Sequence, residues 1–214
     1  MPFVAFALWD KLVEFFEAGG PFMAPLTVCA LAAVVVAIRR VRALRRERVL
    51  PRFVRNAIEK LPAGTDTGHI WQLVEQNPAA LARIARTGLL HMELPRPDNT
   101  GMVQTAARRE IMRLEGGLGA LELIVGIAPL LGLLGAISGL VGVFSNLGDA
   151  TDGQDTAGVA LGIAEALNTT IFGLAIAIPT LVVYTFLARR VQAMAVEMES
   201  LMASLLSKCY VPRE

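Results

Sequence analysis

Three stretches of the chain carry no charged side chain: Ala18 to Ile38, Leu123 to Gly148 and Ala166 to Ala188. A helix of ~20 apolar residues is enough to cross ~30 Å of hydrocarbon, so each stretch predicts a membrane span. Pro21 and Pro25 fall in the opening turns of the first, where a missing N–H costs no helical hydrogen bond. Between the spans the pattern turns polar and helical, with breaks at Pro62-Ala63-Gly64 and at Leu94-Pro95-Arg96-Pro97-Asp98-Asn99. Residues 66–92 read as mixed helical sequence between those breaks. From about Thr100 one helix is expected to run into the second span. After the third, Val191, Met194, Met198, Leu201 and Leu205 recur at three-to-four spacing, which predicts that this span continues as an amphipathic helix. The expected fold is all-α, an integral membrane protein with three transmembrane helices and long helical extensions.

Composition agrees with this pattern. Hydrophobic residues make up 54% of the 214 positions and the mean hydropathy is +0.54, above what a soluble domain carries. The formal net charge of +1 averages very unequal segments. Just after the first span stand Arg39, Arg40, Arg42, Arg45, Arg46, Arg48, Arg52 and Arg55. Arg108, Arg109 and Arg113 precede the second span, and Arg189 and Arg190 follow the third. The 148–165 connection holds Asp149, Asp152, Asp155 and Glu165 with no Lys or Arg.

Positive residues stay inside, so these signals place the N-terminus outside and the arginine-rich segments in the cytoplasm. The expected organisation is a periplasmic amphipathic segment 1–17, span one 18–38, and a cytoplasmic helical domain 39–117. Span two 118–147, a periplasmic loop 148–160, span three 161–188 and a cytoplasmic C-terminal helix 189–214 follow. Arg39, Arg40, Arg42, Arg45 and Arg46 thus read as topology determinants lying against anionic membrane lipids, and no nucleic-acid partner is expected. Asp10, Lys11, Glu14 and Glu17 interrupt the place where a cleavable signal's apolar region would lie, so the first span is expected to act as its own insertion signal.

Candidate chemistry is sparse. Cys29 and Cys209 suggest no disulfide framework, and His69 and His91 have no partners at metal-ligand spacing, so no metal and no cofactor are expected. No Ser/His/Asp set, phosphate-cradling loop or pair of membrane carboxylates is present, which argues against an enzyme. Two features remain. Gly132, Gly135, Gly139 and Gly142 recur at three and four residues and form a smooth strip on the second span, matched on the third by Gly162, Ala166, Thr170, Gly173 and Ala177. Such strips let helices approach closely in lipid. The other feature is polar: Glu165, Asn168, Thr169 and Thr170 open the third span, with Glu165 and Thr169 on one face. A carboxylate there is either a loop-end group or a functional one. Thr170 either bonds a carbonyl of its own preceding turn or lines a wet path. Pro179 removes the donor for the Ala175 carbonyl, giving a plain kink or a polar spot for water.

These residues carry a resemblance. The segments IAPLLGLLGAISGLVGVF (127–144) and GIAEALNTTIFGLAIAIP (162–179) resemble the ExbB/TolQ/MotA proton-channel family, as do EAGGPFMAPL (17–26) and Ala106, Ala107 and Arg108. Three spans and this chain length are more similar to ExbB or TolQ than to MotA. The resemblance implies a homopentamer in the inner membrane of a Gram-negative-type bacterium, whose second and third spans enclose a dimeric, single-span ExbD- or TolR-like partner. That partner's membrane aspartate would exchange protons, and the work would pass to a TonB- or TolA-like protein. Glu165 aligns with the family's EAL glutamate and Thr170 with its pore threonine. The usual GTxxG of the second span reads Gly135-Ala136-Ile137-Ser138-Gly139, so Ala136 stands at a pore-threonine position. Ser138 lies about 200° further round the helix and cannot replace it on that face.

Overall fold

Proline and glycine decide where the helices start and stop. The computed structural model describes residues 19–64, 67–149 and 156–210. Among these it holds eight helices and no strand: α1 Met23–Ala43, α2 Arg46–Val49, α3 Arg52–Lys60, α4 Gly68–Val74, α5 Ala80–Leu90, α6 Arg96–Glu115, α7 Gly119–Asp149 and α8 Thr156–Cys209. The expectation for 1–17, and that for 150–155 within the 148–160 connection, falls outside the described residues; 156–160, expected as loop, instead form the first turn of α8. Pro21 lies just before α1 and Pro25 in its first turn. Pro97 sits in the first turn of α6, where it is again tolerated. The continuous helix expected from Thr100 is interrupted at 116–118. Gly116 N–H donates to the Met112 carbonyl at 2.8 Å and Leu118 N–H to that of Glu115 at 2.7 Å. A Gly-Gly pair is where a break costs least, since each glycine already weakens a helix by about 1 kcal/mol.

The chain divides into two compact units, Met1–Ala37 with Ala120–Tyr184, and Ile38–Gly119 with Thr185–Glu214. The described part of the first consists of α1, α7 and α8 segments. Its core joins Met23, Leu26 and Ala33 of α1 with Ile124 and Ala128 of α7 and Ile176 and Ala177 of α8. On the other faces Val28, Leu31, Val34, Leu130, Leu133, Ile171 and Ile178 are exposed. Among the described residues, three helical stretches are long and apolar enough to cross a membrane: Met23–Ala43, the apolar part of Arg96–Ser145, and that of Gly158–Cys209. So large an exposed apolar surface would be a liability in water and fits a lipid solvent.

The second unit is built as a water-soluble domain would be. α3 packs on α4, α4 on α5 and α5 on α6. Leu44, Leu50, Val54, Ile58, Ile70, Leu81 and Ile84 are fully or almost fully buried. The amphipathic stripe of the tail is buried too, with Val191, Met194, Met198, Leu201 and Leu205 each at most 6% exposed. The end of α8 is fastened by polar contacts. Lys208 Nζ donates to the Ile58 and Glu59 carbonyls at 2.9 and 2.8 Å, which satisfies the open C-terminal end of α3. Tyr210 donates to the Leu94 carbonyl at 2.7 Å, and the buried Asn99 amide donates to Gly88 O and to the Tyr210 hydroxyl.

Candidate functional site

A glycine on a helix lets a neighbouring chain come within van der Waals range of its own backbone, and α7 uses this three times, twice against backbone and once against a side chain. A Cβ on Gly132 would stand 2.9 Å from the Thr169 carbonyl oxygen and 3.2 Å from Thr170 Cα. One on Gly135 would meet Thr169 Cβ and Cγ2 at 2.9 Å, and one on Gly139 the Gly162 carbonyl at 3.0 Å. From α8, Gly173 approaches the Ala128 carbonyl just as closely, at 2.7 Å. The two helices therefore meet backbone to backbone along Ala128–Gly139 and Gly162–Gly173. Gly142 differs: a Cβ there would meet nothing within 4 Å, so it stands off this contact although it shares the spacing.

Two polar residues of α8, Thr169 and Thr170, lie along that seam. Thr169 is completely buried, and its hydroxyl, with one proton to give, is within reach of the Glu165 carbonyl at 2.8 Å and the Ala166 carbonyl at 3.2 Å. Thr170 is half-buried. Its hydroxyl is 3.0 Å from the Ala166 carbonyl and 3.4 Å from Gly132 O across the seam. Both hydroxyls thus spend their proton on backbone, leaving oxygen lone pairs as what each can offer a water or an ion. Ala136 is half-buried, and so is Asn168.

Glu165 is the sole carboxylate between Thr156 and Arg189. Its half-buried side chain reaches the turn before α1: a Cβ on Gly20 would overlap the Glu165 carboxylate oxygen, with Cδ 2.6 Å and Cγ 3.2 Å away. One helical face therefore offers a carboxylate and, four residues or ~6 Å along the axis, a buried hydroxyl. Such a set can line a polar path or hold a cation in passing, but it lacks a second acid or base for proton exchange. Pro179 lies further along α8 on an exposed face. The next residue, Thr180, is buried and donates to the Ile176 carbonyl at 2.6 Å.

Thr180 and Gly20 escape a reading built on spacing. The Gly19-Gly20-Pro21 run did carry a turn signal. Among the arginines, Arg46 and Arg55 both grip Glu197, at 2.6 and 3.2 Å. The Arg40 guanidinium lies over Gly117, in space a side chain there would need. Arg39, Arg42 and Arg45 are exposed. No group of three His, Cys, Asp or Glu that could hold a metal ion occurs among the described residues.

Long apolar helices with exposed apolar faces, joined through glycine, define a multi-pass helical membrane protein. The sequence profile of the MotA/TolQ/ExbB proton channel family matches residues 76–200. An ExbB-like biopolymer transport protein of Synechocystis is 33% identical over 187 residues, covering 83% of this chain and 70% of the relative. A second from Synechocystis is 32% identical over 166 residues, covering 77% and 79%. The biopolymer transport protein ExbB of Salmonella typhimurium is 41% identical over a shorter stretch of 75 residues, 35% of this chain and 30% of that protein. The chain belongs to the MotA/TolQ/ExbB proton channel family.

Proposed function

We propose that the chain is the proton-channel or motor subunit of an inner-membrane energising complex. It works as a homopentamer around a single-span ExbD/TolR-like dimer and passes the proton motive force to a TonB/TolA-like protein that drives transport across the outer membrane. The polar unit and the tail face the cytoplasm, and the N-terminus faces the periplasm. The observation that carries this reading is the α7–α8 seam, where Thr169 and Thr170 bring hydroxyls into a close helix contact, with the Glu165 carboxylate one turn before Thr169 on α8, in a chain of proton-channel ancestry. One carboxylate with hydroxyls can guide protons yet supplies no exchange partner, so the second protein must carry the membrane acid.

One charge crossing 100 mV releases ~2.3 kcal/mol, so a mechanical stroke has to combine several protons, which suits a rotating or stepping assembly. Thr170→Val and Glu165→Ala are expected to lower uptake that depends on the proton motive force, while crosslinking still traps the full oligomer. Full activity of both variants would remove these residues from the pathway. Ala136 motivates a second reading, a TolQ-like envelope role or a non-conducting scaffold of the same fold, because the second span then brings no hydroxyl to the seam at that turn. Ala136→Thr separates the two: raised proton leak in reconstituted vesicles speaks for a channel, and no leak in either form for a scaffold.

A further inference from the structure

Gly20 is the one described residue of the first unit in the left-handed region, at φ +66°. It is also the place where the Glu165 side chain comes against the backbone of another segment. Two separate demands thus fall on one glycine. A side chain at position 20 would be strained by its φ, and it would collide with Glu165 Oε1, Cδ and Cγ. Gly19 next door provides the contrast, because the three atoms nearest its Cβ would all belong to the Met23 side chain, at 2.5–2.8 Å. That thioether chain has three rotatable bonds and can move aside. The Gly20 carbonyl accepts from Met23 N–H at 3.2 Å, which ties the turn to the start of α1, the end of a helix whose dipole favours a nearby negative charge.

We infer that Gly20 is a positioning residue for Glu165: the turn before α1 forms a seat for the carboxylate and fixes where it stands beside α8. The inference rests on the proposed ion role of Glu165, and it adds the first span's leading turn to a pathway otherwise built from the second and third. A carboxylate without its seat would swing to other rotamers, and its distance from Thr169, one turn further along, would no longer be set.

The test uses the full-length protein purified in detergent. Gly20→Ala, Gly19→Ala, Glu165→Ala and the Gly20→Ala/Glu165→Ala double variant are compared by thermal unfolding. The Glu165 carboxylate is also probed with a hydrophobic carbodiimide and followed by mass spectrometry. Gly20→Ala is expected to lower Tm. In the Glu165→Ala background the same substitution should lower it less, because the collision is gone and only the φ strain remains. Carbodiimide should label Glu165 severalfold faster in Gly20→Ala, with Gly19→Ala matching the unsubstituted protein. Strictly additive Tm losses, or one labelling rate in all three chains, would overturn the inference. Both readouts are independent of transport, so undiminished uptake by Glu165→Ala would remove the ion role while leaving the seat itself decided by the cycle.

Discussion

The two units of this chain bury different things. Of the twelve largest fully buried side chains, Leu26 and Leu121 belong to the first unit and the other ten to the second. The first unit joins α7 to α8 by backbone approach at Gly132, Gly139 and Gly173, with the Thr169 side chain laid against Gly135. Leucine gains nothing by leaving a lipid phase as apolar as itself, so close van der Waals packing of small residues is what remains to join helices. The second unit has the large buried side chains and ion pairs of a domain that folds in water. Polar groups follow the same division: Thr169, Thr170 and Thr180 turn back on their own helix, whereas Glu110 and Glu197 gather arginines from other segments.

If that contrast is right, the largest losses come from truncating the second unit's core. Leu81→Ala, at a fully buried site, is expected to cost ~2–5 kcal/mol, read from denaturant unfolding of the purified protein. Leu133→Ala, on an exposed face of the first unit, should change stability by less than ~0.5 kcal/mol in the same assay. Equal losses would erase the distinction.

The buried Glu110 accepts from Arg83 through both carboxylate oxygens and from Arg113 at 2.8 Å. Burial pushes its carboxyl up, but the hydrogen bonds and charges of the two arginines outweigh that and hold it below the ordinary carboxylate range. In return, the Glu110 hydrogen bond raises Arg83. The unfolded chain therefore takes up the proton first as pH falls. The stability from this group is complete above the ordinary value of about 4.3 and fades as pH drops through the lower folded value. Glu110→Gln is expected to cost about 1.5–3 kcal/mol at neutral pH and to flatten the acid limb of a Tm-against-pH curve. An unchanged acid limb would show that other carboxylates set it.

How far these features were legible in sequence depends on the range of the physics behind them. The three spans could be read because hydrocarbon thickness imposes one length on every crossing helix, and the tail stripe because 3.6-residue periodicity is local. The Arg83–Glu110–Arg113 cluster joins α5 to α6 and carries no local signature. Glu165 stood out as an isolated charge, yet its neighbour Gly20 lies 145 positions earlier, inside what the sequence alone reads as the first span. Spacing also gave Thr169 and Thr170 similar weight, and burial separates them, since only Thr169 is sealed against Gly135.

Within the first unit, Gly132→Ala would press a methyl against the Thr169 carbonyl and Thr170 Cα. Backbone cannot step aside as a side chain can, so the helices must part. The expected cost is ~1–3 kcal/mol, seen as a lower Tm in detergent and, for the proposed oligomer, a weaker crosslinked band.

The smallest effect belongs to Gly142. Its spacing puts it on the same strip, three residues past Gly139, but a Cβ there would meet nothing within 4 Å. Alanine is also the better helix former, by about 1 kcal/mol. In a single chain Gly142→Ala should therefore leave Tm unchanged or slightly raised, within ~0.5 kcal/mol of neutral once the membrane-exposed setting is allowed for. In the proposed oligomer the same substitution asks what covers that face. If Gly142→Ala leaves the crosslinked oligomer intact, lipid covers Gly142 and the strip's contact ends at Gly139. If it dissolves the oligomer while Tm in dilute detergent stays put, the last glycine serves the approach of another helix, from a neighbouring copy or a partner span.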